Sequence, residues 1–318
     1  MSPESRAVKN ITVPTEELLD SLGPLPVGMR AGVWDLVGEP RGLDYPEIDA
    51  VVTPYASATD WRSGVARVPN LQLLQAQTTG HDGLPELVGS GTAVASAAGV
   101  HAAATAELAV GLMLASLRGI DAAVRDQLDA SWNPQRWPGL ADRRVLLVGV
   151  GGIGQEIAAR LAPFEVELTR VGSRAREDEF GHIHGTDELV ELASGTDVLV
   201  LITPLNDQTR HLVGREVLAA LPDGALVVNV ARGAVIDTDA LTEEVVSGRL
   251  KAALDVVDPE PLPADHPLWK ARNALLTPHV GGNSDAFTPR IQAFLRRQVH
   301  RLAEGREPLN LVQRGPWA

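Results

Sequence analysis

Apolar residues recur along the chain in short runs separated by glycine, proline and polar turns, the rhythm of strands joined by helices. In the first hundred residues, runs at 30–34, 50–53, 71–75 and 92–95 predict strands, with a helix over 60–68 between two of them. They predict a small parallel sheet. Residues 100–117 are apolar on nearly every face. Such a helix must be covered on all sides, by a second domain or a second subunit, and is expected to form the joint between domains. From Arg144 the pattern strengthens. Runs at 145–149, 166–171, 197–202, 225–230, 252–255 and 274–277 predict six strands, with helices at 155–161, 186–193 and 239–247. The fold class is therefore α/β, a doubly wound parallel sheet with a second, smaller α/β domain. A last helix over 290–304 is expected to pack back on the first domain.

Composition changes this picture only by exclusion. At 318 residues the chain has room for about two domains. It has no cysteine, so disulfides, thiolate metal sites and a cysteine nucleophile are ruled out. A net charge of −13 disfavours nucleic acid and anionic membranes as partners. The N-terminus carries no apolar run behind its charges, so no signal peptide is expected and the cytoplasm is the default location.

The first chemical signal is Gly149, Gly151 and Gly154 in a G-x-G-x-x-G pattern completed by Val150, Gly152 and Ile153. It follows a predicted strand and opens a predicted helix, the context in which glycines admit a pyrophosphate to a helix N-terminus. The next strand usually ends on an acid that binds the ribose hydroxyls of NAD. Here it ends on Val171, Gly172, Ser173 and Arg174. Without the carboxylate, and with a hydroxyl and a guanidinium in its place, a 2′-phosphate is favoured, so NADP is expected, with NAD second.

The later strands deliver polar residues at their carboxyl ends, where open α/β sheets carry their chemistry. Arg232, Asp255, Glu260 and His279 each follow one. A guanidinium can hold a 2-keto carboxylate by two parallel bonds, an imidazole can protonate a carbonyl oxygen, and a carboxylate behind it raises its pKa. His182 and His184, with no third ligand recognisable nearby, give no metal site.

At these residues the chain resembles the D-2-hydroxyacid dehydrogenase family. The matching stretches are 148–154, 204–211, 229–237, 253–261 and 276–282, strongest over 99–288. The resemblance implies a Rossmann-like cofactor domain over 99–288. It also implies a discontinuous flavodoxin-like substrate domain from 1–98 and 289–318, and a homodimer. It assigns Arg232 to the substrate carboxylate, Glu260 to the acid paired with histidine, and His279 to the proton donor. The cofactor set comprises Gly149, Gly151, Gly152, Ile153, Gly154, Ser173, Arg174, Thr203, Pro204, Val230, Ala231, Asp255 and Gly281. Thr78, Thr79 and Gly80 match a loop whose N–H groups bind the substrate carboxylate.

The departures narrow the substrate. His101 replaces a frequent Asn, and Gly152 a frequent Arg or Asn. Glu260 argues against a formate dehydrogenase and Thr79 against a phosphite dehydrogenase. Residues 52–55 lack the arginines of phosphoglycerate enzymes, and no C-terminal regulatory domain is recognisable. The expectation is a reductase of glyoxylate, hydroxypyruvate or a larger apolar 2-keto acid, its pocket built in part by Trp34, Tyr55 and Thr78. The alternatives are an NAD(H) enzyme of other specificity and a cofactor-sensing binding protein.

Overall fold

The computed structural model describes residues 8–55 and 61–318. The chain forms two compact units, one from residues 1–101 with 285–318 and the other from 102–284.

In the first unit, β1 (Asn10–Val13), β2 (Arg30–Val33), β3 (Ala50–Val52), β4 (Leu73–Gln75) and β5 (Ala93–Ala95) lie parallel in the order β5-β4-β3-β1-β2. Successive side chains alternate between faces, as a pleated strand requires. Ile11, Val13, Ala50, Val52, Leu73 and Ala95 fill one core, while Val51, Leu74 and Val94 fill another. The pattern reading missed β1, although it lies inside the sheet. Four residues, with Thr12 among them, make too short an apolar run to register. The predicted helix over 60–68 is observed as Arg62–Val65, and residue 60 lies outside the described residues. Trp34 is corrected from pocket to core. It is 1% exposed, its Nε1–H donates to the Gly38 carbonyl at 2.8 Å, and its ring meets Tyr45 edge-on.

In the second unit, β6 (Arg144–Val148), β7 (Glu167–Val171), β10 (Val198–Leu201), β11 (Leu226–Asn229), β12 (Lys251–Leu254) and β13 (Ala274–Leu276) form a parallel sheet. Their order is β13-β12-β11-β10-β6-β7, which reverses direction at β6 as in doubly wound sheets. A hairpin of β8 (Arg176–Asp178) and β9 (Gly181–Ile183) extends from the end of β7. It too was missed, because β8 is charged and exposed throughout. The predicted helix at 186–193 is a 3₁₀ turn, Thr186–Glu188, followed by an α-helix, Leu189–Ala193.

The apolar helix is Ala102–Leu117. Its own unit covers one side, while Glu107 and Gly111 stay exposed and Ala103, Leu108, Leu114 and Ala115 half-buried on the other. Ala106, Ala109, Leu112 and Met113 share a core with Ile157 and Leu161 of the neighbouring helix and with Val145, Leu147, Val200 and Val228 of the sheet. The small alanines let this helix approach a second helix and the sheet at once. Among the described residues no single helix is long and apolar enough to cross a membrane.

The chain then returns to the first unit. The helix Phe287–Ala303 buries Ile291, Phe294, Leu295, Val299 and Leu302, a 3.6-period stripe, against the core that contains Ile11 and Val52. Strand β14 (Leu311–Gln313) adds antiparallel to β5. Gln298, fully buried on that helix, donates from Nε2 to Gln75 Oε1 at 2.6 Å and accepts at Oε1 from the Leu309 N–H at 2.9 Å. Both ends of its amide are therefore satisfied, which removes the penalty of burying it.

Candidate active site

The glycine loop joins β6 to the helix Gly152–Leu161. Gly149 has φ +118°, and a Cβ at Gly154 would lie 2.0 Å from the Gly149 carbonyl oxygen. Only glycine permits that turn and that approach of helix to strand. Among the described residues nothing lies within 4 Å of a Cβ added at Gly151 or Gly152, and no side chain caps the helix. Open space over an uncapped helix N-terminus fits a pyrophosphate. Ile202 packs against Gly149, and the next residue, Thr203, holds a buried hydroxyl without a hydrogen-bond partner among the described residues. These residues fit a dinucleotide.

At the end of β7 the neighbour of Gly172 is Arg176. Its Nη1 lies 2.9 Å from where a Gly172 Cβ would stand and donates to the Arg174 carbonyl at 3.2 Å. The sequence reading selected Ser173 and Arg174, both exposed. The hairpin brings Arg176 back over the strand end, a placement that spacing alone does not reveal.

After β11 the chain turns sharply, clamped by Asn229. Its Oδ1 accepts from the Ala231 N–H at 3.0 Å and its Nδ2 donates to the Arg232 carbonyl at 3.0 Å. Asn229 lay inside a matched motif but received no role. Gly233 then packs so closely that a Cβ would sit 1.9 Å from the Val257 carbonyl oxygen. That contact sets the turn carrying Arg232 against the segment leading to Glu260. Arg232 Nη1 donates to the Ala231 carbonyl at 2.7 Å.

Glu260 and His279 meet directly. Glu260 Oε1 accepts from the Val257 N–H at 3.1 Å, and its Oε2 accepts from His279 Nδ1 at 2.8 Å. His279 has φ +53°, left-handed and uncommon for a side chain of its size. Asp255 maintains the turn. Its buried carboxylate accepts from the Thr277 hydroxyl at 2.6 Å and from the N–H groups of Val280 and Gly281 at 2.9 and 2.8 Å, while the His279 N–H donates to its carbonyl at 2.8 Å. The Gly281 and Ala231 N–H groups are thus already engaged within the protein.

Hydrogen bonding to Glu260 raises the His279 pKa above the ordinary imidazole range, against the opposing effects of burial and of the Arg232 charge. Burial pushes the Glu260 carboxyl up, but His279, the Val257 N–H and Arg232 outweigh it and hold it below the usual range. Each partner thus favours the charged form of the other, with Arg232 close enough to influence both.

Thr78, Thr79 and Gly80 lie on the first unit, after β4. The Thr78 hydroxyl donates to the Gly80 carbonyl at 2.6 Å, and the buried Thr79 hydroxyl has no partner among the described residues. Nearby in sequence, Tyr55 stacks on Phe287 with centroids 4.2 Å apart and meets His101 edge-on at 5.7 Å. Burial lowers the His101 pKa, and its Nε2 has no partner among the described residues.

A parallel sheet with a glycine loop at its switch point and an acid–base pair at its carboxyl edge defines an NAD(P)-dependent oxidoreductase. The family model for the D-isomer specific 2-hydroxyacid dehydrogenase NAD-binding domain matches residues 110–281. Glyoxylate reductase of Thermofilum pendens is 34% identical, with 77% of this chain and 76% of the relative covered. Hydroxypyruvate reductase of Thermotoga maritima is 35% identical, covering 80% and 84%. The D-isomer specific 2-hydroxyacid dehydrogenase of Xanthobacter autotrophicus Py2, solved in complex with NADPH and MES, superposes with a TM-score of 0.80 at 27% identity, covering 96% and 98%. The chain belongs to the D-isomer specific 2-hydroxyacid dehydrogenase family.

Proposed function

We propose that the protein reduces a small 2-keto acid with an uncharged side chain, of the glyoxylate or hydroxypyruvate type, to the D-2-hydroxy acid, with NADP(H) preferred over NAD(H). The observation that carries this reading is the Glu260–His279 pair with Arg232 beside it. Arg232 binds the substrate carboxylate through its planar fork. His279 gives a proton from its second ring nitrogen to the carbonyl oxygen. Glu260 positions His279 and keeps it charged. The bound nicotinamide supplies the hydride. Asp255 holds the His279 turn. The names of the Thermofilum and Thermotoga relatives support the substrate class. The exposed stripe Ile120, Val124 and Leu128 supports a homodimer.

The sign of the pH dependence follows from the raised His279 pKa. Reduction needs the imidazolium, so its rate is highest at low pH and falls as pH rises through that pKa; oxidation runs the other way. In Glu260→Gln the stabilising charge is gone, and the fall in reduction moves to lower pH. A pH–rate profile of kcat/KM that stays in place in this variant would show that Glu260 does not tune His279.

Cofactor preference rests on the Gly172–Arg176 turn. Each charge-assisted bond to a 2′-phosphate contributes about 1.5–3 kcal/mol, or roughly one to two powers of ten. Ser173, Arg174 and Arg176 are the donors. The double variant Arg174→Ala/Arg176→Ala should lose NADPH affinity by that factor per contact and leave NADH nearly unchanged. Gly172→Asp alone is expected to switch preference poorly, because the new carboxylate would pair with Arg176; with Arg176→Ala added, it is free for the ribose hydroxyls. Equal kcat/KM for the two cofactors in the wild type would refute the preference.

A further inference from the structure

A second group of side chains faces one another outside the residues assigned above. Strand β9 buries Ile183, so the alternation of a strand places His182 and His184 together on the opposite side. Their rings pack edge to face with centroids 4.5 Å apart. The chain then enters the turn Thr186–Glu188, and Glu188 folds back on it. Glu188 Oε1 accepts from the Gly185 N–H at 2.8 Å, and its Oε2 accepts from His184 Nδ1 at 2.7 Å. One ligand atom from each of His182, His184 and Glu188 lies within 4.8 Å of the other two. The expectation that no third ligand stands near the histidines is thereby corrected. The third comes from Glu188, four residues after His184, by way of a turn that apolar periodicity does not signal.

We propose that His182, His184 and Glu188 form a binding site for one divalent cation of the zinc class. Two imidazoles and one carboxylate are donors that suit zinc and its borderline neighbours, whereas calcium and magnesium favour oxygen ligands. Ligand atoms on a tetrahedral ion with bonds of about 2.0–2.1 Å sit roughly 3.3–3.4 Å apart. Modest rotation of these partly exposed side chains closes the set. An outer support is already in place: Glu177, opposite His182 on β8, accepts from His182 Nδ1 at 2.7 Å. A carboxylate behind a ligating histidine fixes its ring and raises its basicity. The Arg170 guanidinium, which donates to the Gly181 carbonyl of this hairpin, is engaged by both oxygens of Asp178, at 2.8 and 2.7 Å.

The location gives the ion something to hold. The His184 N–H donates to the Arg170 carbonyl at 2.8 Å, and the His184 carbonyl accepts from the Gly172 N–H at 2.9 Å. A ligated His184 therefore ties the hairpin to the end of β7, where the cofactor turn begins. That coupling rests on the NADP reading above; the binding of the cation does not.

The test uses the full chain without a histidine tag, stripped with EDTA and titrated with Zn²⁺ in a calorimeter. One Zn²⁺ per chain is expected. His182→Gln and Glu188→Gln should each weaken binding at least about 10-fold, and Glu177→Gln, which removes only the outer support, about 10-fold. The replaced side chains are partly exposed, and circular dichroism with a melting curve in EDTA verifies that each variant is folded. Absence of saturable Zn²⁺ binding in the wild type would overturn the site, as would binding that survives both His182→Gln and Glu188→Gln. Failure of the NADP reading shows instead as equal kcat/KM for the two cofactors, so the two results are read separately.

Discussion

Replacing His279 by asparagine is expected to lower kcat for reduction of a 2-keto acid by about 10²–10⁴-fold, the usual range for removing a general acid. Asparagine is the informative substitution because of the backbone. His279 sits at φ +53°, and asparagine tolerates the left-handed region better than almost any residue except glycine. The turn held by Asp255 should therefore persist, and the loss should be chemical rather than structural. Cofactor affinity, measured by fluorescence titration, is expected to stay within a few-fold of wild type. A fall in kcat of less than about tenfold would remove His279 from the proton-transfer role.

The second large effect is expected at Arg232. Arg232→Lys keeps the charge and loses the fork, so one of two parallel bonds to the substrate carboxylate goes. At about 1.5–3 kcal/mol for a charged hydrogen bond, kcat/KM should drop by one to two powers of ten. Lysine also cannot reproduce the bond from Nη1 to the Ala231 carbonyl while reaching the substrate. A neutral ketone analogue, which has no carboxylate to hold, should lose far less. Equal relative losses for the keto acid and the ketone would show that Arg232 acts on something other than the carboxylate.

These expectations began with residues visible in the sequence, and the visibility has a physical reason. The cofactor-unit strands are buried on both faces, so Val145–Val148 and Val198–Leu201 read as unbroken apolar runs. The glycine loop announces itself because steric closeness at Gly154 forbids any other residue. Arg232, Glu260 and His279 stand out because each follows such a run. What was illegible depends on contacts between distant segments. The place of β1 inside its sheet is decided by pairing with β2 and β3. Arg176 reaches Gly172 only because β8 and β9 fold back. The apolar helix reads as one to be covered all round because a sequence does not show which of its sides its own sheet takes.

The amide pair between Gln75 and Gln298 spans 223 positions of the chain, and this separation bears on the order of events during synthesis. The unit from 102 to 284 is continuous, so all its strands are synthesised, and leave the ribosome, ahead of the helix Phe287–Ala303. The other unit is interrupted. Its five N-terminal strands wait, with the core around Ile11 and Val52 uncovered, until that helix arrives. Closing so wide a loop is slow when the intervening chain is unstructured, and its entropic cost falls when that chain has already become compact. Early folding of the middle segment thus brings the two ends of the chain within reach of each other. The unit that begins the sequence is expected to be the last to finish folding.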